Sequence, residues 1–288
     1  MGKTMLFSED IIRSRQNRTV VEVAKLADRK HREAERKFRF DGIKLFEEAR
    51  RNGLVPETVL LRASGAEALC AELYRRCGST AFDGIGRVLL LQDDIFDRIS
   101  EEKSPEGVIC TAKYIDKFQK KITIYNSADF LHAAEERIVL LESVRDPSNV
   151  GAIVRSAAAL GVDRLVISAD CADIYHPKAV RASMGTLFGQ RIDRVENFAS
   201  AITALRESGR RVFAAALSDT AVLLDRSSLT VGDCVVIGNE GHGLSEETVA
   251  LCDGAVMIPM SPRAESFNAA VAASILMWEF ARAELLKK

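Results

Sequence analysis

The chain of 288 residues is 47% apolar and 28% charged, with a formal net charge of -1. Those proportions describe an ordinary globular protein with room for two domains. No apolar run reaches the length of a membrane span, which excludes a helical membrane protein.

The N-terminal end meets Ser8-Glu-Asp early and lacks the apolar core and small-residue cleavage site of a secretory signal. From Arg13 to Arg39 ten Lys or Arg stand against four acids, a local net of +6 on an otherwise neutral chain. Two readings stay open: a contact for a polyanion, or a solvated helix face laced with i,i+4 ion pairs. Apolar positions at Val20, Val21, Val23, Ala24, Leu26 and Ala27 predict one helix over 20–37 with an exposed basic end. Residues 38–42 read as a short strand and turn, and 43–52 as an amphipathic helix stopped by Gly53. Short buried strands follow at 58–62, 88–92 and 108–113, with helices at 67–77 and 93–100 between them. That alternation predicts a small α/β domain over 1–114. Residues 115–134 show no period and are expected to form a linker to a second domain over 135–288.

The second domain opens on a buried strand at 137–144. Pro147 or Ser148 starts an Ala-rich helix that Gly161 ends. A strand at 164–168 follows, then a short helix at 178–184, another helix over 193–208, and a strand at 212–217. The apolar runs 235–237 and 256–258 each lead into a loop of glycine, proline and small polar residues, and a last helix spans 268–286. A mostly parallel sheet with helices on both faces is expected. Pockets in such sheets form at strand ends, so these two loops outline a small-molecule site. The six cysteines (Cys70, Cys77, Cys110, Cys171, Cys234 and Cys252) form no CxxC pair. They read as reduced thiols of a cytoplasmic protein rather than a disulfide framework or zinc site. Cys70 and Cys77, two helical turns apart, leave a metal pair open beside the plainer packing reading.

Hydride transfer and nucleotide hydrolysis have no motif behind them, since neither GxGxxG nor a Walker lysine loop is present. No Ser-His-Asp arrangement stands out. His242 is the one histidine in a glycine-rich loop, and a surface position explains it as well as catalysis does. The polar residues at strand ends are Asn149, Arg155, Glu240, Ser266 and Asn268. Arg155 is the single charge in an Ala-rich helix expected to be buried on most sides. A buried arginine needs an anionic partner: a structural ion pair with Glu240 or Glu142, or a substrate phosphate.

These residues carry a resemblance. Asn149-x-Gly151-x-x-x-Arg155, Gly238-Asn239-Glu240-x-x-Gly243-Leu244, and Ile258-Pro-Met followed by Ser266-Phe-Asn268 resemble three signature motifs. They are those of the SpoU–TrmH family of RNA ribose methyltransferases in the SPOUT superfamily, in the family's order across 138–285. The first half resembles the family's substrate-binding domain on slighter marks: Ser14-x-Gln-Asn, Lys30-x-Arg32 and Phe40-Asp-Gly.

The resemblance implies a C-terminal α/β domain of SPOUT type, with a parallel sheet and a deep trefoil knot, working as a homodimer. It implies S-adenosylmethionine held by the knot loops at Leu217, Ser218, Ile237, Gly238, Asn239, Gly243, Ile258, Met260, Ser266 and Phe267. The methyl acceptor it implies is a ribose 2′-hydroxyl in rRNA or tRNA, with no metal. Arg155 activates the reaction on that reading, with Asn149, Glu240, Ser266 and Asn268 positioning. Lys178, Arg181 and Ser183 resemble a block facing the RNA, beside the reading of an ordinary basic helix end. Arg29, Lys30 and Arg32, with Arg155, complete the expected RNA contacts. Pro262, Phe267, Ala269 and Ala270 depart from the family pattern, and Pro262 restricts Ser261, so the cofactor loop is expected to differ in shape. Two other readings stand beside this one: a non-catalytic RNA-binding protein of the same fold, and a base methyltransferase of the same superfamily.

Overall fold

The structure is a computed structural model, which describes residues 10–130, 136–217, 221–224, 229–230 and 232–286. The first elements in chain order are β1 (Ile11–Ile12), α1 (Arg18–Lys25), α2 (Arg29–Glu35), β2 (Lys37–Asp41) and α3 (Ile43–Arg51). They are followed by β3 (Thr58–Arg62), α4 (Ala66–Cys77), β4 (Arg87–Leu91), α5 (Asp93–Ile99) and β5 (Val108–Lys113). Then come β6 (Gln119–Ile122), β7 (Ile138–Leu141), α6 (Pro147–Ala159), β8 (Arg164–Ser168), α7 (Pro177–Ala182) and β9 (Arg191–Val195). The chain closes with α8 (Phe198–Glu207), β10 (Val212–Ala215), β11 (Val222–Leu223), β12 (Cys234–Ile237), α9 (Glu246–Leu251), β13 (Gly254–Met257) and α10 (Ala269–Leu285).

The chain forms two compact units, one running to Ile115 and adding Tyr175–Phe188, the other holding Asp116–Ile174 and Gly189–Lys288. The first unit is built on a five-stranded sheet in the order β1-β4-β3-β5-β2. β5 is antiparallel to β3 and β2, whereas β4 is parallel to β1 and β3. Val20 and Val23 of α1 pack with Ile95 and Phe96 of α5 on Leu60, Leu91 and Ile109 of the sheet. The single helix expected over 20–37 is two helices and the start of a strand. Asp28 stops the first by capping the second, accepting from the Lys30 and His31 amides, as an Asp N-cap does. Arg36 then takes a left-handed conformation, φ 50°, and turns the chain into β2. The segment Tyr175–Phe188 joins this unit through aromatic rings. Tyr175 lies 4.6 Å from Phe38 and stacks on Tyr114 at 4.0 Å, and Phe188 lies 5.1 Å from Phe40.

The second unit carries an eight-stranded sheet in the order β11-β13-β10-β12-β7-β8-β9-β6, with every neighbouring pair parallel. β7, β8 and β12 are buried on both faces, which is why β7 and β12 read as unbroken apolar runs and β8 carries one between Arg164 and Ser168. Ile138, Leu140, Val166, Val212 and Val236 face the buried side of α8, at Ala201, Ile202 and Leu205. The stretch 115–134, expected as a linker, supplies the edge strand β6. Lys120 and Lys121, on its two opposite faces, are both exposed, the charged pattern of an edge that resists further pairing and the reason it shows no apolar run. The helix expected over 193–208 begins only at Phe198, because Asp193 to Val195 belong to β9. Since all strands run the same way, the loops after β7, β10, β12 and β13 emerge on one end of the sheet.

Candidate active site

The loop after β12 is shaped by its own backbone. A Cβ on Gly238 would lie 2.4 Å from the carbonyl carbon of Gly243, so only glycine fits there. Asn239 and Gly243 exchange two backbone hydrogen bonds of 2.9 and 3.0 Å, and Gly243 closes the loop at φ 69°. The Asn239 side chain accepts from the amides of Gly241 and His242 and donates to the Ser143 carbonyl at 2.7 Å. The loop is thereby tied to the residues just after β7.

Glu240 reaches the start of α6. Its Oε1 accepts from the Asp146 amide at 3.0 Å and from Asn149 Nδ2 at 2.9 Å, and its Oε2 accepts from the Arg145 amide at 3.1 Å. Partial burial pushes the Glu240 carboxyl up, but the hydrogen bonds from Asn149, Arg145 and Asp146 outweigh it and hold it below its ordinary value. Asn149 is also the acceptor for Asn268 Nδ2 at 3.0 Å, while Asn268 Oδ1 caps α10 through the Ala270 amide at 2.9 Å. One chain of hydrogen bonds, Glu240–Asn149–Asn268, thus joins three loops far apart in sequence. Glu240 is fully engaged as an anion and serves as an anchor.

Beside this chain lies a cavity of about 500 Å3, walled by Ala215, Ala216, Leu217, Ile237 to Leu244, Val256 to Ile258, Met260, Ser266, Phe267 and the α10 residues Ala269, Ala272 and Leu276. Nine of the ten residues expected to hold the cofactor line it; Ser218 lies outside the described residues. Leu217 and Phe267, 58% and 40% exposed, are apolar walls open to a ligand. The cavity fits S-adenosylmethionine in chemistry and in size class: apolar walls suit an adenine, and backbone groups of the glycine loop suit its polar edges. Pro262, a departure from the family pattern, occupies the second position of a turn closed by the Ala264 amide and the Ser261 carbonyl, a position that favours proline.

Arg155 does not match the buried, paired arginine expected of an Ala-rich helix. α6 buries Val150, Ile153, Val154 and Ala157, and Arg155 lies on the exposed face. It has no hydrogen-bond or ion-pair partner among the described residues. Glu240 serves the start of α6, and Glu142 holds Ser245 and Thr248 at the start of α9. Of the residues expected to meet RNA, Lys30, Lys178 and Arg181 are exposed, and Arg29 is exposed with an ion pair to Glu33. Arg32 and Ser183 are wholly buried instead. Arg32 donates to the carbonyls of Leu26 and Ala27, and Ser183 to that of Val180; both satisfy backbone acceptors and present nothing at the surface.

The Glu142 anchor was legible only as an acid after a buried strand. Asp170 had no signal at all. It accepts from Ser143, Ser168 and Arg145, so it fixes the turn whose amides bind Glu240. Burial raises the Asp170 carboxyl, and those three hydrogen bonds more than reverse it, leaving it below its ordinary value.

Residues 136–278 match the SpoU rRNA Methylase family, and residues 17–110 match an MRM3-like substrate binding domain. The Bacillus subtilis protein named 23S rRNA (guanosine(2553)-2′-O)-methyltransferase RlmP is 27% identical over 267 residues, 93% of this chain and 97% of its own. A Mycobacterium tuberculosis protein named an uncharacterized tRNA/rRNA methyltransferase is 34% identical over 236 residues, 79% of this chain and 69% of its own. The crystal structure of an AdoMet-bound rRNA methyltransferase from Sinorhizobium meliloti superposes with a TM-score of 0.75 at 27% identity, covering 96% of this chain and 98% of that one.

Proposed function

The chain belongs to the SpoU methylase family, and from that premise we propose that it transfers a methyl group from S-adenosylmethionine to a ribose 2′-hydroxyl of structured RNA. Ribosomal RNA is the favoured acceptor, since two relatives that match along nearly the whole chain are named for it. The observation that carries the reading is the Glu240–Asn149–Asn268 chain, which holds all three motif loops around one cavity of cofactor size.

Bound S-adenosylmethionine supplies an electrophilic methyl carbon, so the protein's tasks are alignment and help in removing the hydroxyl proton. Arg155, exposed and unpartnered among the described residues, is free to grip a phosphate beside the target ribose. Its guanidinium keeps its charge, so it steadies the negative charge growing on the 2′-oxygen while a phosphate oxygen of the substrate takes the proton. Asn149, Glu240 and Asn268 position the loops, and Ser266 faces the ligand from the cavity wall.

Arg155 does not line the cavity of its own chain, and this supports a homodimer in which it serves the partner's cavity. Val271, Ile275 and Trp278 of α10 line a shallow apolar surface with Ala152 of α6. Val271 and Trp278 are 46% and 40% exposed, a stripe at helical spacing that a second copy would cover. The placement of β10 between β12 and β13 supports the knotted threading, and the six free thiols support a cytoplasmic site of action. The first unit is the RNA-docking domain on this reading.

Incubating the protein with tritiated S-adenosylmethionine and rRNA tests the activity. Label in an alkali-resistant dinucleotide is expected, because a 2′-O-methyl group blocks cleavage of its own linkage. Label confined to bases would favour the base methyltransferase reading, and no label would favour an RNA-binding protein without activity.

A further inference from the structure

In the first unit, α1 and α5 flank an open groove of about 510 Å3 whose floor includes Val20, Val21, Ala24, Ile95 and Ile99. Val21 is 36% exposed, so part of this apolar floor faces outward. Arg15, Lys25 and Arg98 stand around it, and Glu101 is the one acid that lines it. Lys25 and Arg98 have no hydrogen-bond or ion-pair partner among the described residues. Arg15 pairs with Asp94 at 3.1 Å, but both side chains are more than half exposed, so the pair is weak. Neighbouring cations also carry ion pairs: Arg18 with Glu22, Arg29 with Glu33 and Lys37 with Glu57. Arg39 also lines the groove, but its guanidinium is held by Asp41 and the Ile99 carbonyl.

An apolar floor flanked by two uncommitted cations suits one kind of ligand. A bare phosphate would leave the floor unused, and an apolar peptide would leave the cations unused. An unpaired nucleotide uses both, with its base face on the apolar side chains and its phosphates on the cations. We propose that this groove holds an unpaired segment of the RNA substrate, one base against Val21, Ala24 and Ile99 and the flanking phosphates on Lys25 and Arg98. The site is distinct from the contacts expected on α2, and it rests on the reading of the protein as an RNA methyltransferase.

The test uses the full chain and a fluorescein-labelled oligouridylate dodecamer, with affinity read by anisotropy across a salt series. The double variant Lys25→Glu/Arg98→Glu is expected to bind about tenfold more weakly, and its slope of log affinity against log salt to fall by about 1.4, two phosphate contacts at roughly 0.7 each. Val21→Ser is expected to weaken binding of the dodecamer but not of an abasic strand of the same length. A charge-matched control, Lys120→Glu/Lys121→Glu on β6, is expected to change neither, and calorimetry is expected to give all variants the wild-type affinity for S-adenosylmethionine. Wild-type RNA affinity in the groove variant, or an equal loss in the control, overturns the proposal. So does uridine monophosphate binding as tightly as the dodecamer, which would make the groove a mononucleotide site. Methyl transfer to rRNA is scored in parallel. A wild type that binds RNA through the groove but transfers no methyl sinks the enzymatic reading alone; a groove variant that binds and methylates normally sinks the groove alone.

Discussion

Replacing Asn149 by alanine cuts a side chain that is hydrogen-bonded to both other motif loops. Asn149 is 9% exposed, and it loses a 2.9 Å bond to Glu240 and a 3.0 Å bond from Asn268. A hydrogen bond to a charged group contributes about 1.5–3 kcal/mol and a neutral one about 1 kcal/mol. Glu240 is partly exposed, so the lower end applies, and the sum is roughly 2–3 kcal/mol. For a chain of this size that corresponds to a fall in Tm of about 3–5 °C, read by calorimetry without ligand. Asn149→Asp adds a sign test. A second carboxylate beside Glu240 raises the pKa of the pair in the fold, so the destabilisation is full above that raised value and shrinks as pH falls through it towards the unfolded pKa. A Tm within about 1 °C of wild type for Asn149→Ala, with unchanged S-adenosylmethionine affinity, would refute the coupling of the three loops.

Arg155→Ala should abolish methyl transfer while leaving stability within about 0.5 kcal/mol, as expected for an exposed and unpartnered side chain; comparable turnover in the variant contradicts its role. Gly238→Ala forces a Cβ to within 2.4 Å of the Gly243 backbone, and overpacking of this kind costs about 1–3 kcal/mol, so calorimetry should show weakened cofactor binding. The folded Glu240 carboxyl sits below its ordinary value, so its stabilising effect is present above the unfolded pKa and is lost as pH falls through the folded one. Cofactor affinity should therefore hold from neutral pH down to the ordinary carboxylate range and drop as pH falls below it. Trp278→Asp places a charge in the exposed apolar stripe and should convert a dimer to a monomer in light scattering, with methyl transfer lost.

Much of this architecture was legible where both faces of a strand are buried. β3, β5 and β8 are each built around a three-residue apolar run, at 59–61, 108–110 and 165–167, and their limits match the sequence reading closely. β6 was hidden because an edge strand needs little apolar character, and Lys120 and Lys121 suit its exposed side. The division between α1 and α2 turned on Asp28, whose capping bonds compete with an otherwise helical pattern. Composition also misled at Arg155: an Ala-rich helix says nothing about which face is outward, and α6 leaves that side bare. The glycine and proline loops announced the cavity. The bonds that tie it together, across 91 and 119 residues, depend on strand order, which no local pattern records.

The central claim meets its most direct test in cells. Ribosomal RNA from cells with and without the protein is mapped for 2′-O-methylation at nucleotide resolution. The account predicts one ribose methyl group that disappears with the protein, returns with the wild-type chain and stays absent with Arg155→Ala. Identical maps from rRNA and tRNA in both cells, or a lost methyl group that lies on a base, would contradict it.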